Sequence, residues 1–149
     1  MSNQIPEIKK DFFAFRNGIV ADSLRKLYPA SKMIYGLTVP QFLEMSKKYP
    51  KSLDLGLALW NNNSSREDRL FALYLIPPSE LKEESAISMI NDVESVEQAE
   101  FLAFKLLRFL PYAYELYHNL VSGEKLQQLP SYCLTMLKKN LDIQRSDLS

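Results

Sequence analysis

The sequence contains very little of what covalent cross-links and metal sites are made from. Among its 149 residues there is one cysteine, Cys133, and one histidine, His118. A lone cysteine cannot form an internal disulfide, and these two residues together fall short of the usual ligand set of a zinc site. We therefore expect no metal, no cofactor and a reducing, cytoplasmic environment.

Long apolar runs are also missing. The first ten residues, MSNQIPEIKK, are polar and charged, and no later segment approaches the roughly 20 consecutive apolar residues of a membrane span. This pattern predicts neither a secretion signal nor a contact with the membrane. With 46% hydrophobic and 24% charged residues, the chain has an ordinary globular composition and enough length for one hydrophobic core.

An excess of positive charge is absent as well. Residues 1–80 hold 11 basic and 8 acidic side chains, residues 81–149 hold 7 and 10, and the formal net charge is zero. Dedicated DNA-binding proteins usually carry a strongly basic face, because phosphate neutralisation supplies most non-specific affinity. The composition therefore disfavours tight nucleic-acid binding, while leaving room for a local basic patch.

What the sequence does contain is a regular helical period. Apolar residues recur at three- and four-residue spacing between breaks marked by proline, serine, threonine and asparagine. The pattern predicts helices at about 6–16, 19–28, 38–49, 52–60, 64–76, 79–91, 95–110, 112–121 and 131–141. In the second of these helices, the side chains expected to face inward are Ile19, Val20, Leu24 and Leu27.

Three of the predicted helices open with an S/T-x-x-E/Q capping box, whose first and fourth side chains bond the backbone at the start of the helix. The boxes lie at 38–41, 64–67 and 95–98. Each of them predicts the first turn of a helix.

Short turns between the predicted helices favour antiparallel neighbours. Pairing the helices in order gives units 38–60, 64–92 and 95–121, which are similar in length and nearly contiguous. We therefore predict an all-α fold, an α-α superhelix in the form of a short HEAT-like solenoid. It forms a single domain over 1–141, followed by a flexible tail over 142–149. An irregular globular α-fold is the alternative.

Three segments carry a family resemblance: YGLTVP at 35–40, LALW at 57–60 and REDRLFAL at 66–73. In this order and spacing they resemble the DNA alkylation repair family of alkylpurine DNA glycosylases. The resemblance covers about 19–111 and implies a HEAT-like α-solenoid. These segments are scaffold motifs: Glu67 is expected to bond the open end of its helix, and Arg69 to pin neighbouring helices.

The resemblance also implies where a catalytic group would stand. Active members of the family have a W-D-x-x-D element, whose tryptophan stacks near the lesion and whose second aspartate stabilises charge on the sugar. The matching segment here is VEQAE at 96–100, so Glu100 takes the position of that aspartate and Val96 that of the tryptophan. Phe104, one turn later, is a partial substitute. Where relatives have an arginine, only Lys138 and Lys139 are found.

Residues that would contact DNA are expected elsewhere in the chain. Lys47, Lys48 and Lys51 form a candidate phosphate-binding stripe, and Arg69 is a further candidate. Ordinary solvated charge near a helix end is the alternative for the lysines. Tyr114 and Tyr117 lie on one predicted helix face with His118 and are candidates for base stacking, with core packing as the alternative.

Three functions follow from these observations. The first is a divergent, non-catalytic relative of alkylpurine DNA glycosylases that contacts duplex DNA weakly. The second is an active glycosylase that excises alkylated purines with Glu100, and the third is a protein-interaction scaffold. Because the chain is shorter than the relatives it resembles, the end of the solenoid is also expected to support a homodimer.

Overall fold

The computed structural model describes residues 4–123 and 126–148, with side chains described up to residue 145. Within these ranges the chain forms nine α-helices and no strand, which confirms the prediction of an all-α fold. The helices are α1 Gln4–Ala14, α2 Gly18–Leu24, α3 Val39–Ser46, α4 Leu53–Asn62, α5 Arg66–Leu75, α6 Glu83–Asp92, α7 Val96–Lys105, α8 Ala113–Val121 and α9 Gln128–Leu148. Short 3₁₀ helices lie at Arg25–Leu27, Pro78–Glu80 and Leu107–Phe109.

The chain divides into two compact units, Met1–Pro77 and Pro78–Ser149. The first unit contains α1 to α5 and the second contains α6 to α9. The single domain over 1–141 stays a prediction. In the described part of the chain, no helix combines the length and the apolar character needed to cross a lipid bilayer.

An antiparallel pair, α4 and α5, forms the centre of the first unit. The Ser52 amide donates to the carbonyl oxygen of Leu75 at one end (2.8 Å), and Arg69 Nε donates to that of Trp60 at the other (3.1 Å). Serine side chains cap both helices, since Ser52 accepts from the Leu55 amide and Ser65 from the Asp68 amide. Around this pair lie fully buried aromatic side chains, namely Phe12, Phe42, Trp60 and Phe71.

A buried carboxylate ties α5 to the chain before α3. Glu67 is fully buried and accepts from the backbone amides of residues 35, 36 and 37 at 3.0 to 3.3 Å. Arg66 Nη1 donates to Glu67 Oε2 (2.6 Å) and to the carbonyl oxygen of Leu37 (2.9 Å). The predicted box at 64–67 was therefore wrong: Ser65 caps α5, and Glu67 bonds a distant loop rather than its own helix.

In the second unit, three helices alternate in direction. Tyr132 near the start of α9 bonds Glu100 of α7, and Gln144 near its end bonds the carbonyl oxygen of Arg108, so α7 and α9 run parallel. Tyr114 at the start of α8 reaches Leu141 in the later part of α9, and α8 is antiparallel to α9. Buried side chains of this unit include Leu102, Leu116 and Leu137.

Several predicted boundaries and orientations were wrong. The second helix ends at Leu24 and gives way to a 3₁₀ turn, and Ile19 in its first turn is 84% exposed, while Leu27 is also exposed. The predicted helix at 95–110 ends at Lys105, because Leu106 leaves the helical conformation (φ −129°, ψ −59°). α9 begins at Gln128 and includes 142–148, where the sequence predicts a tail. Whether that stretch is flexible stays a prediction, and Ser149 lies outside the described residues.

Candidate functional site

The predicted catalytic residue, Glu100, lies on α7 and is half-buried. The Tyr132 hydroxyl of α9 donates to Glu100 Oε2 at 2.7 Å. This hydrogen bond is the main reason why the pKa of Tyr132 is raised, followed by burial and by the negative charge of Glu100. One side of the carboxylate is therefore occupied by a phenol that holds it against the neighbouring helix.

One turn further along, an arginine lies close to two phenylalanine rings, and we call Phe104, Arg108 and Phe109 the Phe-Arg-Phe stack. The guanidinium carbon of Arg108 lies 4.1 Å from the ring centroid of Phe104 and 4.4 Å from that of Phe109. Arg108 Nε donates to the carbonyl oxygen of Phe104 at 2.7 Å, and this hydrogen bond restrains the arginine side chain. Both rings are large apolar groups left in contact with solvent, 44% and 51% exposed.

A second cation belongs to the same surface. Lys105 Nζ lies 5.4 Å from the Phe104 ring centroid. Burial lowers the pKa of Lys105, and the nearby charge of Arg108 lowers it further. This surface therefore combines two cationic side chains with two exposed aromatic rings.

Sequence reasoning missed Arg108, although a signal for it was present. Glu100, Phe104 and Arg108 are spaced at four-residue intervals, which places successive residues on one helix face. The resemblance places the cationic partner of Glu100 within 131–140. It therefore does not point to Arg108, which is nearer to Glu100 in the sequence. Lys138 and Lys139, the residues named there, are both exposed on α9.

The predicted stacking residues Tyr114 and Tyr117 line one cleft between α8 and α9. Its cavity is about 200 Å³, and its other lining residues are His118, Lys138, Leu141, Asp142 and Arg145. The guanidinium carbon of Arg145 lies 4.7 Å from the Tyr114 ring centroid. The structure therefore brings two of the three predicted stacking residues together, while Phe104 belongs to the Phe-Arg-Phe stack.

The predicted phosphate stripe lies in the first unit, and acidic partners accompany two of its three lysines. Lys47 Nζ is 3.3 Å from Glu44, and Lys48 Nζ is 3.1 Å from Asp11 and 3.6 Å from Glu7. The hydrogen bond with Asp11 is the main cause of the raised pKa of Lys48. Lys51 is exposed. The neighbouring carboxylates reduce the positive potential that these lysines offer to a phosphate.

The fourth predicted DNA contact, Arg69, is 8% exposed inside the first unit. Besides its bond to the carbonyl oxygen of Trp60, its guanidinium carbon lies 4.6 Å from the Trp60 ring centroid. The side chain thus joins α5 to the end of α4. This placement favours the pinning role expected for Arg69 over a contact with phosphate.

Comparison of the chain with protein-family models, with curated proteins and with solved structures found no match.

Proposed function

We propose that the chain is a divergent, non-catalytic relative of alkylpurine DNA glycosylases, built as a short α-solenoid, that contacts DNA weakly. The observation that carries the proposal is the Phe-Arg-Phe stack on the second unit. It combines a cation with two exposed aromatic faces, which are the two kinds of group that bind nucleic-acid strands without reading their sequence.

The geometry of Arg108 suits a phosphate contact. Contact with two rings holds the guanidinium in place, and its N–H groups are of the kind that bond phosphate oxygens. The exposed edges and faces of Phe104 and Phe109 then provide stacking surface for a base beside that phosphate. A site with one such stack and Lys105 neutralises few phosphates, which agrees with weak binding.

Two features support a non-catalytic protein. Val96 supplies no aromatic face where the family has its tryptophan, and Glu100 already accepts a hydrogen bond from Tyr132. The active-glycosylase alternative remains a second candidate, because the half-burial of Glu100 is favourable for a carboxylate that stabilises positive charge on a sugar. The two readings differ in base release, which is measured directly.

Support for the solenoid comes from the helix directions within each unit. α4 and α5 are antiparallel in the first unit, and α7, α8 and α9 alternate in the second, as stacked helix pairs require. The protein-interaction scaffold is a third candidate, favoured by the exposed apolar side chains of Phe13, Ile19 and Met33 in the first unit. Self-association as a homodimer stays a prediction that sedimentation tests.

The binding proposal is tested by fluorescence anisotropy with labelled duplex and single-stranded DNA, over salt concentrations between about 50 and 200 mM. Arg108→Gln removes the charge while retaining a hydrogen-bonding side chain. We expect it to weaken binding by roughly tenfold and to reduce the salt slope by about one, because one phosphate contact is lost. The double variant Phe104→Leu with Phe109→Leu, which retains apolar bulk, is expected to weaken binding at every salt concentration.

The matched control is Lys139→Gln, which removes one positive charge from an exposed position of the same unit. Its effect is expected to be small and confined to low salt. Equal losses for Arg108→Gln and Lys139→Gln would overturn the assignment of the contact to the stack. Absence of salt-dependent binding by the unchanged protein would overturn the proposed function itself.

A further inference from the structure

The cleft between α8 and α9 is a separate feature from the Phe-Arg-Phe stack, since none of the three stack residues lines it. We propose that this cleft binds a small ligand with a single aromatic ring and an anionic group, for which a pyrimidine nucleoside monophosphate is the representative. The cleft combines ring faces, cations and a volume that together select this class. This binding does not depend on the DNA contact proposed above.

The ring-binding part consists of Tyr114, Tyr117 and His118, with Leu141 below them. Tyr117 and His118 meet edge to face, with ring centroids 5.5 Å apart. The Tyr114 hydroxyl reaches the carbonyl oxygen of Leu141 (3.4 Å), which orients that ring along α9. Aromatic side chains held in fixed orientations bind flat rings by stacking and by edge-to-face contacts.

The anion-binding part consists of Arg145 and Lys138. The guanidinium carbon of Arg145 lies 4.7 Å from the Tyr114 ring centroid, so the cation is near enough to bond a phosphate or carboxylate attached to a ring that Tyr114 binds. Asp142 is the one carboxylate among the lining residues, and Lys138 Nζ lies 3.0 Å from it. Lys138, Arg145 and Asp142 together have a net charge of +1, which favours an anion over a cation.

The volume of the cleft limits the size of the ring that a ligand can place inside it. A cavity of about 150 Å³ holds one benzene molecule, and drug-sized ligands occupy pockets of about 300 to 1,000 Å³. The volume of this cleft, about 200 Å³, lies just above that of the cavity that holds benzene. It fits a six-membered ring whose ribose and phosphate extend toward solvent, whereas the two fused rings of a purine need more room.

The test is isothermal titration calorimetry of the full chain with uridine 5′-monophosphate as the probe. Three other compounds are titrated as controls. Uridine lacks the anionic group, inorganic phosphate lacks the ring, and adenosine 5′-monophosphate has a larger base. We expect the pyrimidine nucleotide to bind at least tenfold more tightly than each of these three. Equal binding of inorganic phosphate, or no binding of the pyrimidine nucleotide at millimolar concentration, would overturn the proposal.

Variants locate the binding to the cleft. Tyr117→Leu keeps the apolar bulk but removes the ring, and Arg145→Gln removes the cation; each is expected to weaken binding of uridine 5′-monophosphate by roughly tenfold. Lys138→Gln and Lys139→Gln form a matched pair, because only the first of these lysines lines the cleft. Circular dichroism checks that each variant is folded. Identical affinities for Lys138→Gln and Lys139→Gln, with Arg145→Gln also unchanged, would contradict the assignment.

A mononucleotide and the end of a strand share this chemistry, and a further arm of the titration separates them. A 5′-phosphorylated pyrimidine oligonucleotide that binds the cleft only as well as uridine 5′-monophosphate indicates a free nucleotide as the ligand. Tighter binding that Arg108→Gln does not reduce indicates a strand end in the cleft. In either case Arg108→Gln leaves uridine 5′-monophosphate binding unchanged, so failure of the DNA proposal and failure of this one are distinguishable.

Discussion

Glu67 is the side chain on which the first unit depends most heavily. It is a fully buried carboxylate surrounded by three backbone amides and the guanidinium of Arg66. Such a charge is tolerated in the interior because both carboxylate oxygens accept hydrogen bonds and a cation lies beside them, and loss of one member leaves the others without compensation. The loop at 35–37 is ordered by this carboxylate rather than by regular secondary structure.

Glu67→Gln is expected to destabilise the protein by about 3 to 5 kcal/mol, because the amide presents its NH₂ group to donors that need an acceptor. Urea denaturation followed by circular dichroism measures the change. Glu44→Gln is the control, since it also removes a carboxylate that is paired with a basic side chain, here Lys47, but from an exposed position. Its cost should stay below about 1 kcal/mol. Comparable losses for the two variants would show that Glu67 has no special role.

At the scale of elements, the pairing of α4 with α5 depends on a close approach at Gly56. A Cβ atom added there would lie 2.3 Å from Ile76 Cγ1 and 3.4 Å from the carbonyl oxygen of Ala72. Ile76 is fully buried, so its side chain has no room to move away. The leucine-rich run around this glycine packs tightly because the glycine lets the two segments meet.

Gly56→Ala is therefore expected to destabilise the protein by about 1 to 3 kcal/mol, even though alanine is favoured over glycine inside a helix by about 1 kcal/mol. Gly18→Ala is the matched control, because a Cβ atom at Gly18 meets nothing within 4 Å at the start of α2. Thermal unfolding should show a lower midpoint for the first variant and an unchanged or higher one for the second. The reverse order would refute the packing argument.

Helix starts were largely predictable, because local bonds decide them. Gln41 accepts from the Thr38 amide, and the Ser52 and Ser95 side chains cap their helices, as the sequence patterns indicate. Glu67 departed from its pattern because partners distant in sequence bound it more favourably than its own helix end. The exposure of Ile19 had a different cause: a helix of seven residues packs too little of its surface to bury every apolar side chain.

The candidate sites were less predictable, because they depend on which helix faces meet. Glu100 and Phe104 could be named from the resemblance, but the bond from Tyr132 to Glu100 spans 32 residues of sequence. Arg108 was reachable from its spacing, but its contacts with both Phe104 and Phe109 form where the helix breaks at Leu106. The spacing of apolar residues along the sequence does not indicate where such a helix break lies.

For the whole molecule, the net charge decides whether tight or only weak binding of nucleic acid is expected. The formal net charge of the chain is zero, so the DNA contact proposed for it would have to come from local groups rather than from an overall field. Excision of a base requires more than binding of the DNA, since the positive charge that develops on the departing nucleoside must be stabilised. Loss of one well-placed stabilising group lowers the rate by on the order of a hundredfold or more. The sequence lacks two such groups of the family that it resembles, the aromatic residue at Val96 and the later arginine.

The most direct test of a DNA-contacting but non-catalytic protein is base release from alkylated duplex DNA. The measurement is made with protein in excess over DNA, at a concentration where anisotropy shows the complex to be formed. The account predicts release of 3-methyladenine and 7-methylguanine at the rate of the protein-free control. Release well above that rate, abolished by Glu100→Gln with an unchanged circular dichroism spectrum, would contradict it and establish an active glycosylase instead.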